Sequence, residues 1–580
     1  LNEQLPEPEF TVLSGDSLYW GPGQELIGKD ALPYGEEKHA TSTEDSEKLL
    51  DVLAPGRYDA VVGNPPYIVV RDKALNTFYR KRYAPYCKGT YAMTVPFMVV
   101  FFNLAISPNF PLGKKRGAGW VGQITSNSFE KREFGKPVVE EFFPKHDLRE
   151  VIDTSGAYIP GHGTPTVILV GRNAKPSRAK VMGVLGIQGE PGVPDHPDQG
   201  LVWRSIADHV DETGFENDYI SVRELTREFI GTHPWNLQGG AAPDVSAVID
   251  TQATTLTDKY PGASIGGSIR VGADEAFFLP NEKTHKLSSD LLSRSRPLIL
   301  GENLRDYSLR TSPRIIYPYV YGTGNVSESH IPHLLWGWRT LLKERRTFQG
   351  NMADAGLQWF EYMQHTWSTY RTALGITFAF VATHNHFVLD RGGSVFKQSA
   401  PVIKLPESST EDDHLALLGV LNSSTACFWL KQNSHDKGNG GIGGGIGDEA
   451  WEPRYEFTGT TLKNFPLPSG DVTERGRRLD SLAQELAAWD PANLFEDQAP
   501  TRELIDKAHR EYTRIRNLMI AEQEELDWAV YHLYGLTDTD LSLPVGDVDG
   551  IELGTRPFEI ALARSGKETA WFKRHHSHPT

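Results

Sequence analysis

The sequence predicts an α/β protein that begins with a partial Rossmann-like sheet, continues with an α+β part and ends in a helical C-terminal region. Short apolar runs near residues 60, 120, 150 and 168 end in glycine or polar residues, as buried strands of an open sheet do. The apolar segment 94–106 predicts a helix packed on that sheet. From residue 474 onward, apolar residues recur at helical spacing.

The composition is that of a globular protein with apolar cores. Its 580 residues, 39% of them hydrophobic, allow about two to four domains. The net charge of −16 gives no overall basic surface for nucleic acid, although a local basic cleft stays open. Cys87 and Cys427 lie far apart in sequence, so neither a disulfide framework nor a metal site is predicted. Without a signal peptide or an apolar run of about 18 residues, we expect no membrane span and a cytoplasmic location.

Segment 58–67, Tyr-Asp-Ala-Val-Val-Gly-Asn-Pro-Pro-Tyr, is the centre of the functional prediction. Its apolar residues are too few for a helix and predict a short buried strand. Pro65 and Pro66 have no N–H group and fix φ, so the strand ends there. In an open α/β sheet, ligands bind at the carboxyl ends of the strands.

The residues at this strand end suit group transfer to an exocyclic amine. Such an amine is a poor nucleophile because its lone pair is delocalised. The side-chain oxygen of Asn64 and the carbonyl of Pro65 can accept both amine hydrogens and favour a tetrahedral nitrogen. Tyr67 offers a ring on which an extruded base can stack. The alternative is a simple strand-terminating turn, since glycine, asparagine and proline all favour turns.

The Asn-Pro-Pro-Tyr sequence resembles the signature of the amino-methyltransferases that use S-adenosyl-L-methionine. The resemblance implies a catalytic role for each residue of the signature, Asn64, Pro65, Pro66 and Tyr67, and a place for Asn64 beside the cofactor. It also implies that an acidic residue after the third strand accepts a hydrogen bond from the adenine of the cofactor. Asp16 is the candidate, with Leu18 packing nearby. A role for Asp16 in capping a turn is equally open.

The same resemblance assigns strands three to seven of a methyltransferase sheet. These are the runs 10–18, 58–62, 119–127, 148–155 and 167–172. In that sheet, the glycine-rich loop that binds the methionine part of the cofactor should precede residue 10, where the given sequence does not show it. We therefore expect that part to be lost, to lie outside this numbering or to be supplied by another chain. The loop 156–166 is expected to place Tyr158 against the target base opposite Tyr67, with His162 shaping the loop.

Two basic clusters are candidates for contacts with the DNA backbone. In the first, Arg71, Lys73, Arg80 and Lys81 alternate with aromatic residues just after the signature. The second contains Lys343, Arg345 and Arg346 and lies in a part of the chain that resembles the target-recognition domain of Eco57I-like and TaqI-like adenine methylases. A solvated helix face explains either cluster equally well.

Three domains are predicted. Residues 1–205 form an incomplete catalytic domain, 206–470 a target-recognition domain and 471–580 a helical region and tail. The segment 176–211 is rich in proline, glycine and aspartate and is expected to be a connector.

Three further segments, 155–166, 438–447 and 525–535, narrow the resemblance to the PglX-type adenine methyltransferases of the BREX bacteriophage-exclusion systems. The resemblance implies methylation of adenine N6 in double-stranded DNA, S-adenosyl-L-methionine as cofactor and defence-system proteins as partners. Three alternatives stay open: a glutamine methyltransferase, a methylase fused to a restriction nuclease, and a DNA-binding sensor whose methylation is lost or conditional.

Overall fold

The computed structural model describes residues 10–20, 45–109, 111–161, 163–252, 254–279, 288–310, 313–327, 331–347, 349–437, 454–495 and 499–564. The chain clusters into two compact units. Residues up to Pro243 form the first, and the described residues from Asp244 onward form the second.

The first unit has an α/β fold around one six-stranded mixed sheet. Its strands are β1 (Ala60–Gly63), β2 (Trp120–Ser126), β3 (Asp147–Asp153), β4 (Thr166–Arg172), β5 (Lys180–Gly186) and β6 (Ile220–Thr226). Its helices are α1 (Ser17–Trp20), α2 (Ser46–Val52), α3 (Lys73–Arg82), α4 (Thr94–Leu104), α5 (Pro111–Arg116), α6 (Leu201–His209) and α7 (Arg227–Ile230).

The strands of this sheet follow the order β1-β2-β4-β3-β5-β6. Strand β1 runs parallel to β2, and β5 runs parallel to β3, while the other neighbours are antiparallel. Helix α4 is apolar on nearly all sides and packs on one sheet face, where Met98 and Phe102 join Val121, Val151 and Leu169 in the main core.

The predicted strands near 60, 120, 150 and 168 are confirmed as β1 to β4, and the predicted helix 94–106 is α4. The predicted strand at 10–18 is wrong. Residues 10–16 are in no strand, and Asp16 is followed at once by α1. A strand needs a neighbouring strand to which it is hydrogen-bonded, and no described strand pairs with residues 10–14.

The segment 176–211 is also not a connector. It contains β5, which pairs with β3 and β6, and helix α6, which covers the second sheet face. The buried carboxylate of Glu190 accepts hydrogen bonds from the backbone N–H groups of Leu201 (2.7 Å) and Val202 (3.0 Å) and so caps α6. Because β6 belongs to this sheet, the first unit extends beyond the predicted boundary at residue 205.

The second unit combines small sheets with helices around two apolar cores. Its helices are α8 (Ala242–Asp250), α9 (Leu256–Lys259), α10 (Asp274–Phe277), α11 (Ser289–Ser293), α12 (Ile331–Leu334), α13 (Arg339–Glu344), α14 (Glu411–Leu421), α15 (Ser424–Asn433), α16 (Gly459–Lys463), α17 (Thr473–Ala488), α18 (Pro491–Leu494), α19 (Arg502–Tyr534) and α20 (Pro557–Arg564).

The strands of the second unit form two four-stranded sheets, one three-stranded sheet and three two-stranded ribbons. They are β7 (Ser264–Gly266), β8 (Ile269–Arg270), β9 (Phe278–Leu279), β10 (Ser295–Ile299), β11 (Leu304–Arg305), β12 (Ser308–Leu309), β13 (Arg314–Ile316), β14 (Arg346–Thr347), β15 (Gly350–Asn351), β16 (Gln364–His365), β17 (Gly375–Phe378), β18 (Val381–Ala382), β19 (Phe387–Asp390), β20 (Val395–Phe396), β21 (Val402–Lys404), β22 (His435–Asp436) and β23 (Tyr455–Glu456).

The predicted helical C-terminal region is confirmed as α17 and α19, with a break between them. These helices are not a separate body, because Ile515 and Leu526 of α19 share one core with Leu418 of α14. No helix in the described ranges combines the length and apolar character that crossing a bilayer requires.

Three half-buried histidines of the second unit have lowered pKa values. Burial lowers the pKa of His365 and His386 to about 4 and that of His384 to about 3. In the unfolded chain these imidazoles bind protons near pH 6.5, whereas in the folded unit they bind protons only at lower pH. The free energy of unfolding therefore decreases as the pH falls from 6.5 towards 4.

We therefore expect the melting temperature of this unit to fall between pH 7.5 and pH 5, measured by thermal unfolding. His365 stacks on Tyr319 with 3.9 Å between ring centroids, so His365→Phe keeps a ring but removes one titrating group. This variant should show a shallower decline, and a pH-independent wild type would contradict the prediction.

Candidate active site

Four strand ends of the first unit meet at one edge of the sheet. In register, Gly63 of β1 lies beside Gln123 of β2, and Ser126 at the end of β2 lies beside Thr166 at the start of β4. Asp153 at the end of β3 lies beside Val167. Asn64, Asn127 and the loop between β3 and β4 therefore follow the same edge.

Asn64 is exposed at this edge and is oriented by its own signature. The hydroxyl of Tyr67 donates a hydrogen bond to the side-chain oxygen of Asn64 at 2.6 Å. Partial burial raises the pKa of Tyr67, so the hydroxyl keeps its proton and remains a donor. Pro65 is buried, and its carbonyl accepts no hydrogen bond from the described part of the chain. Two oxygen acceptors thus belong to adjacent residues at this strand end, and one of them is uncommitted within the described part of the chain.

Gly63 lies against the ring of Phe101 behind the signature. A Cβ atom at this position would lie 2.4 Å from the Cζ atom of Phe101 in α4, so a larger residue would have to displace that ring. The contact between the bare backbone and the ring helps to place the strand end and Asn64, which follows it.

The structure gives Asp16 a capping role. One carboxylate oxygen accepts hydrogen bonds from the backbone N–H groups of Leu18 (2.9 Å) and Tyr19 (3.0 Å), at the start of α1. The other oxygen accepts the hydroxyl of Tyr79 from α3. Leu18 is buried, and its carbonyl accepts the hydroxyl of Tyr83 at 2.6 Å. A carboxylate offers about four acceptor positions, so three donors leave room for one more.

Tyr158 lies, partly exposed, on the loop that joins β3 to β4. The ends of that loop are held by a hydrogen bond of 3.1 Å from the Asn127 N–H to the Pro165 carbonyl and by a hydroxyl pair, Thr154 with Thr166, at 2.8 Å. The predicted contribution of residue 162 falls outside the described residues, as does the predicted glycine loop 438–447.

In the first basic cluster, the structure exposes the four predicted cations but buries part of the aromatic residues among them. Arg71, Lys73 and Lys81 are exposed and make no ion pair with the described residues, and Arg80 is exposed but donates to the Gly89 carbonyl at 2.7 Å. Of the aromatic residues between and just after them, Tyr79 and Tyr83 are buried in the core, and Phe78 and Tyr86 are half-buried.

In the second basic cluster, the structure corrects the prediction for Arg345. Its guanidinium is buried and donates to four backbone carbonyls, those of Leu342, Val271, Trp359 and Glu361. A guanidinium committed in this way cannot contact a phosphate. Its neighbours Lys343 and Arg346 are exposed.

Beneath the sheet edge lies an acidic pair that the sequence analysis missed. Glu130 is buried, and its pKa is raised well above the usual range, mainly by burial and further by the nearby Asp153. Burial also raises the pKa of Asp153. The position of Asp153 at a strand end was the available signal, whereas nothing in the sequence around Glu130 indicated burial.

Comparison with known proteins agrees with this arrangement. Residues 24–159 match the model of the Eco57I restriction-modification methylase family, and residues 519–580 match a domain of unknown function, DUF7008. The chain is 43% identical over 592 aligned positions to the adenine-specific methyltransferase PglX of Streptomyces coelicolor. The alignment covers 97% of this chain and 48% of that relative, so the chain spans about half the length of the protein it matches.

Solved restriction-modification enzymes are similar at low identity. The Type IIL enzyme MmeI in complex with DNA is 10% identical with a TM-score of 0.45, and the match covers 83% of this chain and 55% of MmeI. The ATP-dependent Type ISP enzyme LlaBIII bound to DNA is 10% identical with a TM-score of 0.39, covering 83% of this chain and 32% of LlaBIII.

The Asn-Pro-Pro-Tyr signature at the strand edge lies in the segment that matches the Eco57I restriction-modification methylase family. Along nearly its whole length the chain is a homologue of PglX. The resemblance to PglX-type adenine methyltransferases that the motifs predict is thus confirmed.

Proposed function

We propose that the protein containing this chain transfers a methyl group to the N6 atom of adenine at specific sites in double-stranded DNA. The observation that supports this most directly is the pair of oxygen acceptors at the sheet edge, Asn64 Oδ1 and the uncommitted Pro65 carbonyl, in a homologue of PglX.

Asn64 and Pro65 prepare the nitrogen for reaction. When both N6 hydrogens are donated to these oxygens, the lone pair is drawn out of conjugation and points away from the two acceptors. The Tyr67 hydroxyl holds Asn64 Oδ1 in place and occupies only one of the two lone pairs of that oxygen. The N6 lone pair forms the new N–C bond as the carbon–sulfur bond breaks and its electron pair leaves with the sulfur. The methylated nitrogen is then cationic and acidic enough to lose one hydrogen to water, so positioning and hydrogen bonding are sufficient and no general base with a shifted pKa is needed.

The target adenine has to leave the duplex to reach this edge. We place its ring between Tyr67 and Tyr158, which lie on different loops of the same sheet edge. The exposed cations of this region then face the DNA backbone, and Pro66 in the turn faces the flipped base. These cations are Arg71, just before α3, and Lys73, Arg80 and Lys81 on α3. Lys343 and Arg346 are our candidates for DNA contacts in the second unit, residues 244–470 being the target-recognition part.

S-adenosyl-L-methionine is the proposed donor and supplies a methyl group activated by a sulfonium sulfur. Asp16 and Leu18 are the candidates to hold its adenine, because the Asp16 carboxylate keeps one acceptor position open and Leu18 packs beside it. Asn64, at the end of β1, is the further candidate beside the cofactor that the resemblance implies.

The decisive experiment uses the full-length protein and labelled S-adenosyl-L-methionine with unmethylated duplex DNA, followed by nucleoside analysis. N6-methyladenine is the expected product. Label in protein but not in DNA would favour a glutamine methyltransferase. No transfer despite DNA binding would favour a sensor with lost or conditional methylation.

A role in phage defence together with partner proteins is inferred from the resemblance to PglX-type proteins. If that role is correct, deletion of the gene should raise the plating efficiency of phage on the host.

The hydrogen bond between Tyr67 and Asn64 gives a separate prediction. Tyr67→Phe keeps the ring for stacking and removes only the hydroxyl that orients Asn64. We expect methyl transfer at saturating DNA to fall by about 10-fold, because one orienting hydrogen bond is worth about 1 kcal/mol or slightly more. Affinity for DNA, measured by fluorescence anisotropy, should hardly change. A loss of affinity without a loss of rate would contradict the orienting role.

A further inference from the structure

The second unit contains a groove of about 520 Å³ between two short β-ribbons. One ribbon pairs β8 with β16, and the other is the hairpin of β14 and β15. Four long polar side chains line the groove, Arg270, Arg346, Gln349 and Gln364, above a floor that includes Leu357 and Met363.

The polar side chains stand at the solvent side of the groove. Arg270 and Gln364 are direct cross-strand partners in their ribbon, so their side chains project from the same face. Arg346 opens the hairpin on the other side, and Gln349 lies in its turn. All four residues are exposed, whereas Leu357 and Met363 are half-buried. The groove therefore offers donors and acceptors at its rim and an apolar surface below.

The floor of the groove is rigidly built. Gly272 has a φ of +84°, and a Cβ atom there would lie 2.0 Å from the Met363 sulfur, so the thioether packs directly on the backbone. Beneath it, the Arg345 guanidinium binds the carbonyls of Val271 and Glu361, which flank the two strands of the first ribbon. Arg345 lies next to Arg346 in the chain and so also fixes the start of the hairpin.

The charge of the groove is opposite to that of the whole chain. The lining residues that the structure describes include two arginines and no acid, while the chain has a net charge of −16. Two arginines alone would suit phosphates. Glutamine amides and a carbon- and sulfur-lined floor suit bases better: arginine pairs with guanine O6 and N7, glutamine pairs with adenine N6 and N7, and apolar groups contact the thymine methyl. Short β-ribbons can enter the major groove.

We propose that this groove reads base edges of duplex DNA, with Arg346 and Gln364 as specificity-determining residues on its opposite sides. The inference rests on the proposed function and deepens it by assigning the sequence reader. Arg345 acts as a positioning residue, because it touches the ribbons and not the DNA.

The test is a selection of bound duplexes from a randomised library by the full-length protein, compared for the wild type, Arg346→Ala and Gln364→Ala. Removing a bidentate contact should reduce discrimination at one base pair by about 5- to 150-fold and leave the other positions unchanged. Because the two residues lie on opposite sides of the groove, the two variants should relax different positions.

Lys343→Ala is the matched control, since it removes one exposed cation three residues from Arg346 and outside the groove lining. It should weaken all sequences equally and keep every preference. If Arg346→Ala and Gln364→Ala also kept every preference, or if the wild type selected no sequence, the groove would not be the reader.

The selection depends on binding and not on methyl transfer, so the two proposals can fail separately. A wild type that selects a sequence through Arg346 but forms no N6-methyladenine would refute the proposed function and support the groove. A wild type that methylates DNA at a specific site, with recognition of that site unchanged in Arg346→Ala and Gln364→Ala, would support the proposed function and refute the groove. Thermal unfolding of each variant, all at exposed positions, confirms that the second unit is folded.

Discussion

Asn64→Ala should reduce methyl transfer to DNA by about 100- to 1,000-fold or more while affinity for DNA changes by less than about 2-fold. The substitution removes the side-chain oxygen that accepts one N6 hydrogen and leaves the Pro65 carbonyl alone. The nitrogen then keeps more of its conjugation, and the barrier rises. Asn64 is exposed, and within the described part of the chain its side chain makes one hydrogen bond, to Tyr67, so its loss should not unfold the sheet edge.

Asn64→Asp separates the two halves of the amide. It keeps an oxygen in reach of the adenine and of the Tyr67 hydroxyl but replaces the amide nitrogen with a second oxygen. If acceptance by oxygen is what matters, this variant should retain clearly more activity than Asn64→Ala in single-turnover assays. Equal loss in both variants would point to the amide nitrogen instead, and a parallel loss of DNA affinity would indicate a structural turn.

The strand edge could be predicted from the sequence because its cause is local. Proline cannot continue a strand, and a β-branched run followed by Gly63 and Pro65 allows few other conformations. The same reasoning found β2, β3 and β4. It failed at residues 10–14, whose composition suits a strand, because a strand also depends on neighbours that local sequence does not describe.

Burial of charged residues was the feature that sequence could not supply. The amino-acid sequence does not distinguish Arg345 from Arg346, although four backbone carbonyls enclose the Arg345 guanidinium and Arg346 is exposed. Likewise, the sequence around Glu190 indicates an exposed residue in a polar loop, whereas in the structure its carboxylate caps α6. Each of these positions is set by residues distant in sequence, so local composition and periodicity carry no signal for it.

The adjacent arginines give the second large prediction, Arg345→Met. The methionine keeps most of the aliphatic volume but leaves the carbonyls of Leu342, Val271, Trp359 and Glu361 without their donor. A buried polar group without a partner costs about 1–3 kcal/mol, and relaxation recovers part of this, so we expect a net loss of about 3–5 kcal/mol. Because the unfolding entropy grows with the number of residues, the melting temperature of this large unit should fall by roughly 5 °C.

Arg346→Met is the control that the chain itself provides, because the same substitution one residue later removes an exposed guanidinium and should change stability by less than about 0.5 kcal/mol. Burial lowers the pKa of Arg345 to about 10, so the group is still charged at neutral pH and the comparison is between two cations. Arg345→Lys should fall between them, since an ammonium has three donors and cannot reproduce the planar fork. If the two methionine variants melted together, the four carbonyl contacts would contribute little to stability, and the groove above them would lose its fixed floor.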